Sequence, residues 1–320
     1  MIGKTKRQHY VPRHYLKGFS NPNKKEFYLF VYNKENGKVF PSNIKKICFD
    51  NYFYDRKEPQ TTEKRLNLLE YEFNNVLQNI IGSKNINKLS SNDKEVIAKF
   101  IAIQESRTLE VRKILEKRIK EDLSNLVKKK FPNINTDNMQ LFTAFLRNSH
   151  AKLMFTSRYK KITGEILNKM AWKLCINNTD KPFWSSDNPC IRYENLEFKN
   201  NNNIIKIKFG KWENTQLHFP LSDKLLLIFE PFGNHSRDHK DQKVVNITNL
   251  EYFNEDQVKI ENLLQICNST QFVFSRYDDF KTADNFLNKN PQFKNKDKEQ
   301  IALNDNYLEL NDCYIELNNG

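Results

Sequence analysis

Hydrophobic and polar positions along this chain change period from segment to segment. Residues 26–32, Glu-Phe-Tyr-Leu-Phe-Val-Tyr, are aromatic and β-branched and predict a strand. Asn36-Gly37 is the strongest two-residue hairpin signal in the chain, and Lys38-Val39-Phe40 begins the return strand. A second aromatic cluster, 49–54, precedes a polar break at 57–60. Residues 1–60 are thus expected to carry an N-terminal signature and a β-hairpin.

From 61 to 171 the period becomes helical. Leu66, Leu69, Phe73, Val76, Leu77, Ile80 and Ile81 recur at spacings of three and four, giving an amphipathic helix that ends near Gly82. Ser90 and Asp93 form a capping-box pattern that opens one long helix toward Lys130, where Phe131-Pro132 stops it. A third helical stretch covers 137–171, its stripe including Leu141, Phe145 and Leu153. From 172 to 280 the pattern predicts short strands at 172–176, 182–184, 190–193, 204–209, 216–219, 225–229 and 272–275, with a helix near 255–268. Residues 281–320 form an extension, polar up to Gln300, that ends in two alternating pentads around Asn311-Asp312 and predicts a terminal hairpin. Helices and strands are segregated rather than alternating. The expected class is α+β: an N-terminal β-hairpin segment, a central helical block, and a C-terminal, mostly antiparallel β-sheet with a helix.

Composition narrows the partners. With 38% hydrophobic residues, 24 Phe and 13 Tyr in 320 residues, the chain can bury a core, which excludes wholesale disorder. No apolar run approaches the ~20 residues of a spanning helix, and no apolar stretch follows the basic start, so neither membrane insertion nor a secretory signal is expected. The five cysteines are scattered and sit beside apolar neighbours, as reduced core residues in a cytoplasmic protein would. The 52 Lys plus Arg against 39 Asp plus Glu give a net charge of +13, the usual footprint of a partner such as DNA or RNA. Yet 40 of those 52 are Lys in a chain also rich in Asn, the signature of A/T-rich codons, so the few arginines are the more telling cations.

Three runs could carry chemistry. In Arg7-Gln8-His9-Tyr10-Val11-Pro12-Arg13-His14-Tyr15, His9 can move protons near neutral pH while Arg7 and Arg13 hold phosphate, with Tyr10 and Tyr15 as further contacts. The same side chains could instead tie down the terminus. In the long helix Gln104 and Arg107 occupy positions where the apolar stripe should continue, so they need structural partners or a ligand in a pocket. In Ser185-Ser186-Asp187-Asn188-Pro189, Asp187 is a candidate base or orienter of His9, with Ser186 and Asn188 as substrate contacts; the alternative is a tight turn. His9, Arg107, Asp187 and Gln104 are thus the catalytic candidates. No metal-ligand set stands out, although a divalent metal, Mg²⁺ or Mn²⁺, stays open as a cofactor.

Taken in order, these runs resemble a bacterial family designated domain of unknown function 4238, whose members open with Gln-His-Tyr-Val-Pro-x-x-Tyr-Leu-x-x-Phe. The signature stands at 8–19, and the resemblance continues through the Gln104–Arg107 helix, the Ser-Asp-Asn-Pro turn at 186–189 and Pro-Leu-Ser at 220–222, covering 6–276. It implies an effector in a bacterial or mobile-element defence context that acts on nucleic acid. The function expected from residues and resemblance together is a nucleic-acid-directed enzyme, a nuclease. The alternatives are a non-catalytic nucleotide- or protein-binding sensor and a nucleotide- or RNA-modifying transferase; no protein partner is specified.

Overall fold

The computed structural model describes residues 5–22, 26–56, 59–130, 139–193, 195–199, 204–208, 215–232, 249–294 and 313–316. The N-terminal elements are β1 (Arg7–His9), α1 (Arg13–Leu16), β2 (Asn21–Pro22), β3 (Phe27–Asn33), β4 (Lys38–Asn43) and β5 (Phe49–Asn51). The helical block holds α2 (Thr61–Ser83), α3 (Ser91–Ser106), α4 (Leu109–Lys130), α5 (Met139–Leu153) and α6 (Ser157–Asn168). Then come β6 (Met170–Asn177), β7 (Ser185–Ser186), β8 (Ile191–Tyr193), β9 (Asn195–Lys199), β10 (Ile204–Lys208), β11 (Gln216–Ser222), β12 (Leu225–Pro231) and β13 (Asn249–Phe253). The chain continues with α7 (Glu255–Asn268), β14 (Phe272–Ser275), α8 (Lys281–Lys289) and β15 (Cys313–Glu316). The class is α+β. Among the described residues no helix is long and apolar enough to cross a membrane.

The central sheet has the order β13-β6-β12-β11-β8, antiparallel except for the parallel β13–β6 pair. Alternation puts Trp172, Leu174, Leu217, Phe219, Leu227 and Phe229 on one face, where they meet Leu66, Phe73, Ile97, Phe100 and Ile166 from α2, α3 and α6. Phe73 stacks on Phe100 at 3.7 Å between ring centroids. A second sheet, β2-β3-β14-β7 with β4 on the flank of β3, packs with α7 and α8 through Tyr32, Trp184, Leu263, Leu264, Val273, Phe280 and Leu287.

Helix α7 is buried on nearly every side, including Glu261, Asn262 and Gln265. Its amides serve the irregular segment between β6 and β8. Asn262 accepts from the Trp184 amide at 2.7 Å and donates to Pro182 O, Gln265 donates to Pro189 O, and Asn268 donates to Asn188 O and Cys190 O. A backbone that runs through the interior without a sheet partner must find its hydrogen bonds elsewhere, and α7 supplies them.

Local chemistry explains where the structure departs from the periodicity. The expected hairpin forms, but Asn33 pairs with Lys38, so four residues connect the strands; Gly37, at φ 69°, closes the loop by donating to Asn33 O at 2.8 Å. The longer loop carries Lys34 inward, where its ammonium donates to Ile266 O and Ser269 O at the end of α7. The single long helix expected from Ser90 is instead two, α3 and α4. Ser106 Oγ turns back to Ala102 O, and Thr108 Oγ1 accepts from the Val111 amide, ending one helix and starting the next. The stretch expected at 137–171 likewise divides into α5 and α6.

Phe183 and Trp184 lie outside the ladder, which begins at Ser185. Strand β13 escaped the sequence reading because it is short and leaves Leu250 and Tyr252 exposed. The polar extension holds α8, whose sparse apolar positions Ala283, Phe286 and Leu287 are all buried. Of the expected terminal hairpin, residues 307–312 lie outside the described residues, while the second pentad gives β15, paired with β10. Cys48, Cys175, Cys190 and Cys267 are buried free thiols.

Candidate functional site

The opening signature divides by the alternation of β1. Gln8 and Tyr10 point inward, whereas Arg7 is exposed and His9 half-buried. Gln8 Oε1 accepts from the Tyr54 and Asp55 amides at 2.6 and 3.1 Å, and its Nε2 donates to Asp55 O. Tyr15 OH lies 2.8 Å from Ser185 Oγ, and the ring stacks on Phe219. Gly18 runs so close to β11 that a Cβ would stand 2.7 Å from Leu221 O, a position only glycine fills without moving backbone. Most of the signature is therefore a latch that holds the terminus against β5, β7 and β11.

Gln104, on α3, and Arg107, the residue that caps its C-terminal end, complete that latch. Arg107 Nε donates to Tyr10 O at 3.0 Å, and its NH2 group donates to His9 O at 3.1 Å and to Glu70 Oε1 at 2.8 Å. Gln104 Nε2 donates to Tyr10 O at 3.0 Å, while its Oε1 has no partner among the described residues. Arg107 is one of the largest wholly buried side chains. Glu70 and its neighbour Glu63 were missed in the sequence, yet they carry the same signal: both interrupt the apolar stripe of α2 as Gln104 and Arg107 interrupt that of α3. Burial, reinforced by Glu70, pushes the Glu63 carboxyl up to about 7, against the pull of Arg107.

Behind this layer, Arg112 Nε donates to His150 Nδ1 at 2.9 Å, so the ring carries its proton on Nε2 and donates it to Ser106 O, 2.9 Å away at the end of α3. Burial and the Arg112 charge lower His150 to about 3. Burial, Arg13 and Arg107 lower His9 to about 4. Both imidazoles stay neutral in the folded chain at pH values where the unfolded chain, near 6.5, takes up protons. Their contribution to stability is full above about 6.5 and is lost as pH falls toward 3. Glu63 acts in the opposite sense, its contribution being lost as pH rises from the ordinary carboxyl value through about 7. Denaturant titrations should therefore show stability falling by a few kcal/mol between pH 6.5 and 4. Each imidazole that only the unfolded chain protonates costs about 1.4 kcal/mol for every tenfold rise in proton concentration. His150→Gln, which keeps an acceptor and a donor but does not titrate, should flatten that acid limb. An unchanged acid limb would count against the assignment.

His9, like Gln104, has an unused atom among the described residues, and in His9 it is a titratable one. Its ring packs on Phe49, over which the Arg7 guanidinium also lies at 5.0 Å. The ring bonds to the Lys45 backbone, while Nε2 is buried and has no partner among the described residues. A neutral imidazole carries a proton on one ring nitrogen and a lone pair on the other, so an unpartnered ring nitrogen is available for proton exchange. Arg13 and His14, at the start of α1, are exposed nearby, and burial followed by Lys17 lowers His14.

The Ser-Asp-Asn-Pro turn is placed differently. Asp187, 1% exposed, accepts from the Thr270, Gln271 and Phe272 amides at 2.7, 2.8 and 3.0 Å, and its own amide donates to Phe272 O. Burial pushes its carboxyl up, while the three amides and Lys34 pull it down. Ser186 Oγ accepts from the Asn188 amide, and Asn188 Nδ2 donates to Glu110 Oε2 at 2.6 Å. Tyr10, already shifted upward by burial and then Cys48, also feels the Asp187 charge. The structure thus gathers His9, Arg107 and Gln104 around β1, with Arg7 and Arg13 outside; Asp187, Ser186 and Asn188 join β7 to α7 and β14. Among the described residues no group of three or more His, Cys, Asp or Glu is placed to hold a metal ion.

Comparison with known proteins gives one relationship. Residues 7–279 match the family described as "Protein of unknown function (DUF4238)". Neither a curated protein nor a solved structure matches the chain.

Proposed function

The chain belongs to the DUF4238 family of proteins of unknown function, and from its site we propose a nucleic-acid-directed enzyme, a nuclease, with His9 as general base. The observation that supports this is the neutral imidazole of His9, its Nε2 shielded from bulk water and without a partner among the described residues, set among guanidiniums. Arg7 and Arg13, exposed on either side in sequence, would hold the phosphate, and His9 would take the proton of the attacking water or hydroxyl. Arg107 fixes the backbone that carries the base, and Gln104 assists it.

The test is incubation of pure protein with plasmid, single-stranded DNA, total RNA and tRNA, with and without Mg²⁺ or Mn²⁺. Wild type should cleave at least one substrate, and His9→Ala should lower the rate about 10²- to 10⁴-fold while melting within a few degrees of wild type. Absence of cleavage, or equal cleavage by the variant, overturns the proposal.

The occupation of Arg107, Gln104 and Asp187 by backbone groups favours one second reading, a non-catalytic module that binds a nucleotide through Arg7, Arg13 and His9. Its mark would be a raised melting temperature with nucleotide and no turnover.

A further inference from the structure

Around the N-terminal turns of α7 lies a cleft of about 430 Å³. Its walls come from three places: the loop after β6 with Asp180, Lys181 and Trp184, the first turns of α7 with Glu255, Asp256 and Lys259, and the approach to α8 with Tyr277 and Asp279. Four carboxylates face two ammonium groups, so the cleft is acidic in a chain whose net charge is +13. Lys181 is held by Asp279 at 2.9 Å, which leaves Asp180, Glu255 and Asp256 against Lys259.

Trp184 adds an observation of a different kind. The side chain is 4% exposed and lines the cleft, its ring packed on Phe280 at 5.0 Å. Its backbone amide is taken by Asn262. The indole N–H has no acceptor among the described residues and is not sealed from solvent, in a residue that lines the cleft. A buried indole ordinarily finds a partner for its N–H. Tyr277, half-exposed, forms a second aromatic wall.

We propose that this cleft is a binding site for a basic peptide segment, with a peptide carbonyl accepting the Trp184 indole N–H and an adjacent Lys or Arg side chain lying among Asp180, Glu255 and Asp256. Carbonyl acceptor and cation together match what the walls offer; the aromatic faces favour the cation further. The site is separate from His9, so its test is independent of the nuclease proposal.

The experiment titrates full-length protein, labelled with ¹⁵N, with three probes: a blocked hexapeptide alternating Lys and Ala, its Glu-for-Lys counterpart, and spermidine. The readout is the Trp184 indole resonance, assigned by its loss in Trp184→Phe. The Lys peptide should shift that resonance in a saturable manner, less so at high salt. The surface variants Asp180→Asn and Asp256→Asn should each weaken binding about twofold to fivefold. Spermidine lacks the carbonyl and should move the indole resonance little, and the Glu peptide should not move it. No saturable shift with the Lys peptide, an equal shift with the Glu peptide, or an equal shift with spermidine overturns the proposal.

Discussion

Asp187→Ala should lower the stability of the folded chain by about 3–5 kcal/mol or prevent folding, which makes it one of the two most damaging single substitutions expected here. The carboxylate accepts the amides of three consecutive residues, Thr270, Gln271 and Phe272. Each amide left buried without an acceptor costs about 1–3 kcal/mol, and the shortened side chain cannot be replaced by water in a position 1% exposed. The loss spreads because those amides lie where α7 passes into β14, and because Lys34, whose charge is felt at Asp187, also holds the last carbonyls of α7. Asp187→Asn should recover part of the loss, since one oxygen still accepts while the new NH2 group faces a donor. Urea unfolding of the two variants measures this directly. Loss of activity with unchanged stability in Asp187→Asn would instead mark the carboxylate as a reacting group.

Arg107→Ala is expected to cost a comparable amount, about 3–5 kcal/mol, for a different reason. The guanidinium closes three bonds at once, to Tyr10 O, His9 O and Glu70. Its removal leaves the Tyr10 carbonyl to Gln104 alone and the His9 carbonyl to a 3.4 Å bond from the Tyr54 hydroxyl, and it strands the Glu70 carboxylate without its countercharge, beside Glu63. Arg107→Lys should rescue little, because a single ammonium cannot satisfy divergent acceptors as a planar fork does. Adding Glu70→Gln to Arg107→Ala should restore part of the stability by removing the stranded charge, and a double-mutant cycle gives the coupling. A loss below about 1 kcal/mol in Arg107→Ala would show that β1 is held by other contacts.

These two residues show how far the sequence could be read. Arg107 and Gln104 were visible as breaks in an apolar stripe, and the requirement for partners followed from the cost of burying polar groups. Which partners they have was not legible, because a helix in one segment and a backbone carbonyl nearly a hundred residues away share no local pattern. Glu63 and Glu70 broke a stripe in the same manner on α2, so the signal existed there and could have been paired with the first. Asp187 was visible only as turn chemistry. That its three acceptor bonds go to a segment more than eighty positions later depends on β7 pairing with β14, a long-range register with no sequence signature. His150 gave no signal, its neighbours being an ordinary helical pattern.

Period and turn chemistry by themselves determined the segregated α+β class, the N-terminal hairpin, α7, β14 and the burial of Cys48, Cys175, Cys190 and Cys267, because each follows from interactions among near neighbours or from the hydrophobicity of single residues. The tertiary structure alone decided which polar residues are latch and which are free. A buried donor or acceptor takes whichever partner folding brings within about 3 Å, and that choice rests on packing between distant segments. It assigned Gln8, Gln104, Arg107 and Asp187 to backbone groups, left His9 Nε2 without a partner among the described residues, and opened an acidic cleft beside Trp184 in a chain whose overall charge pointed elsewhere.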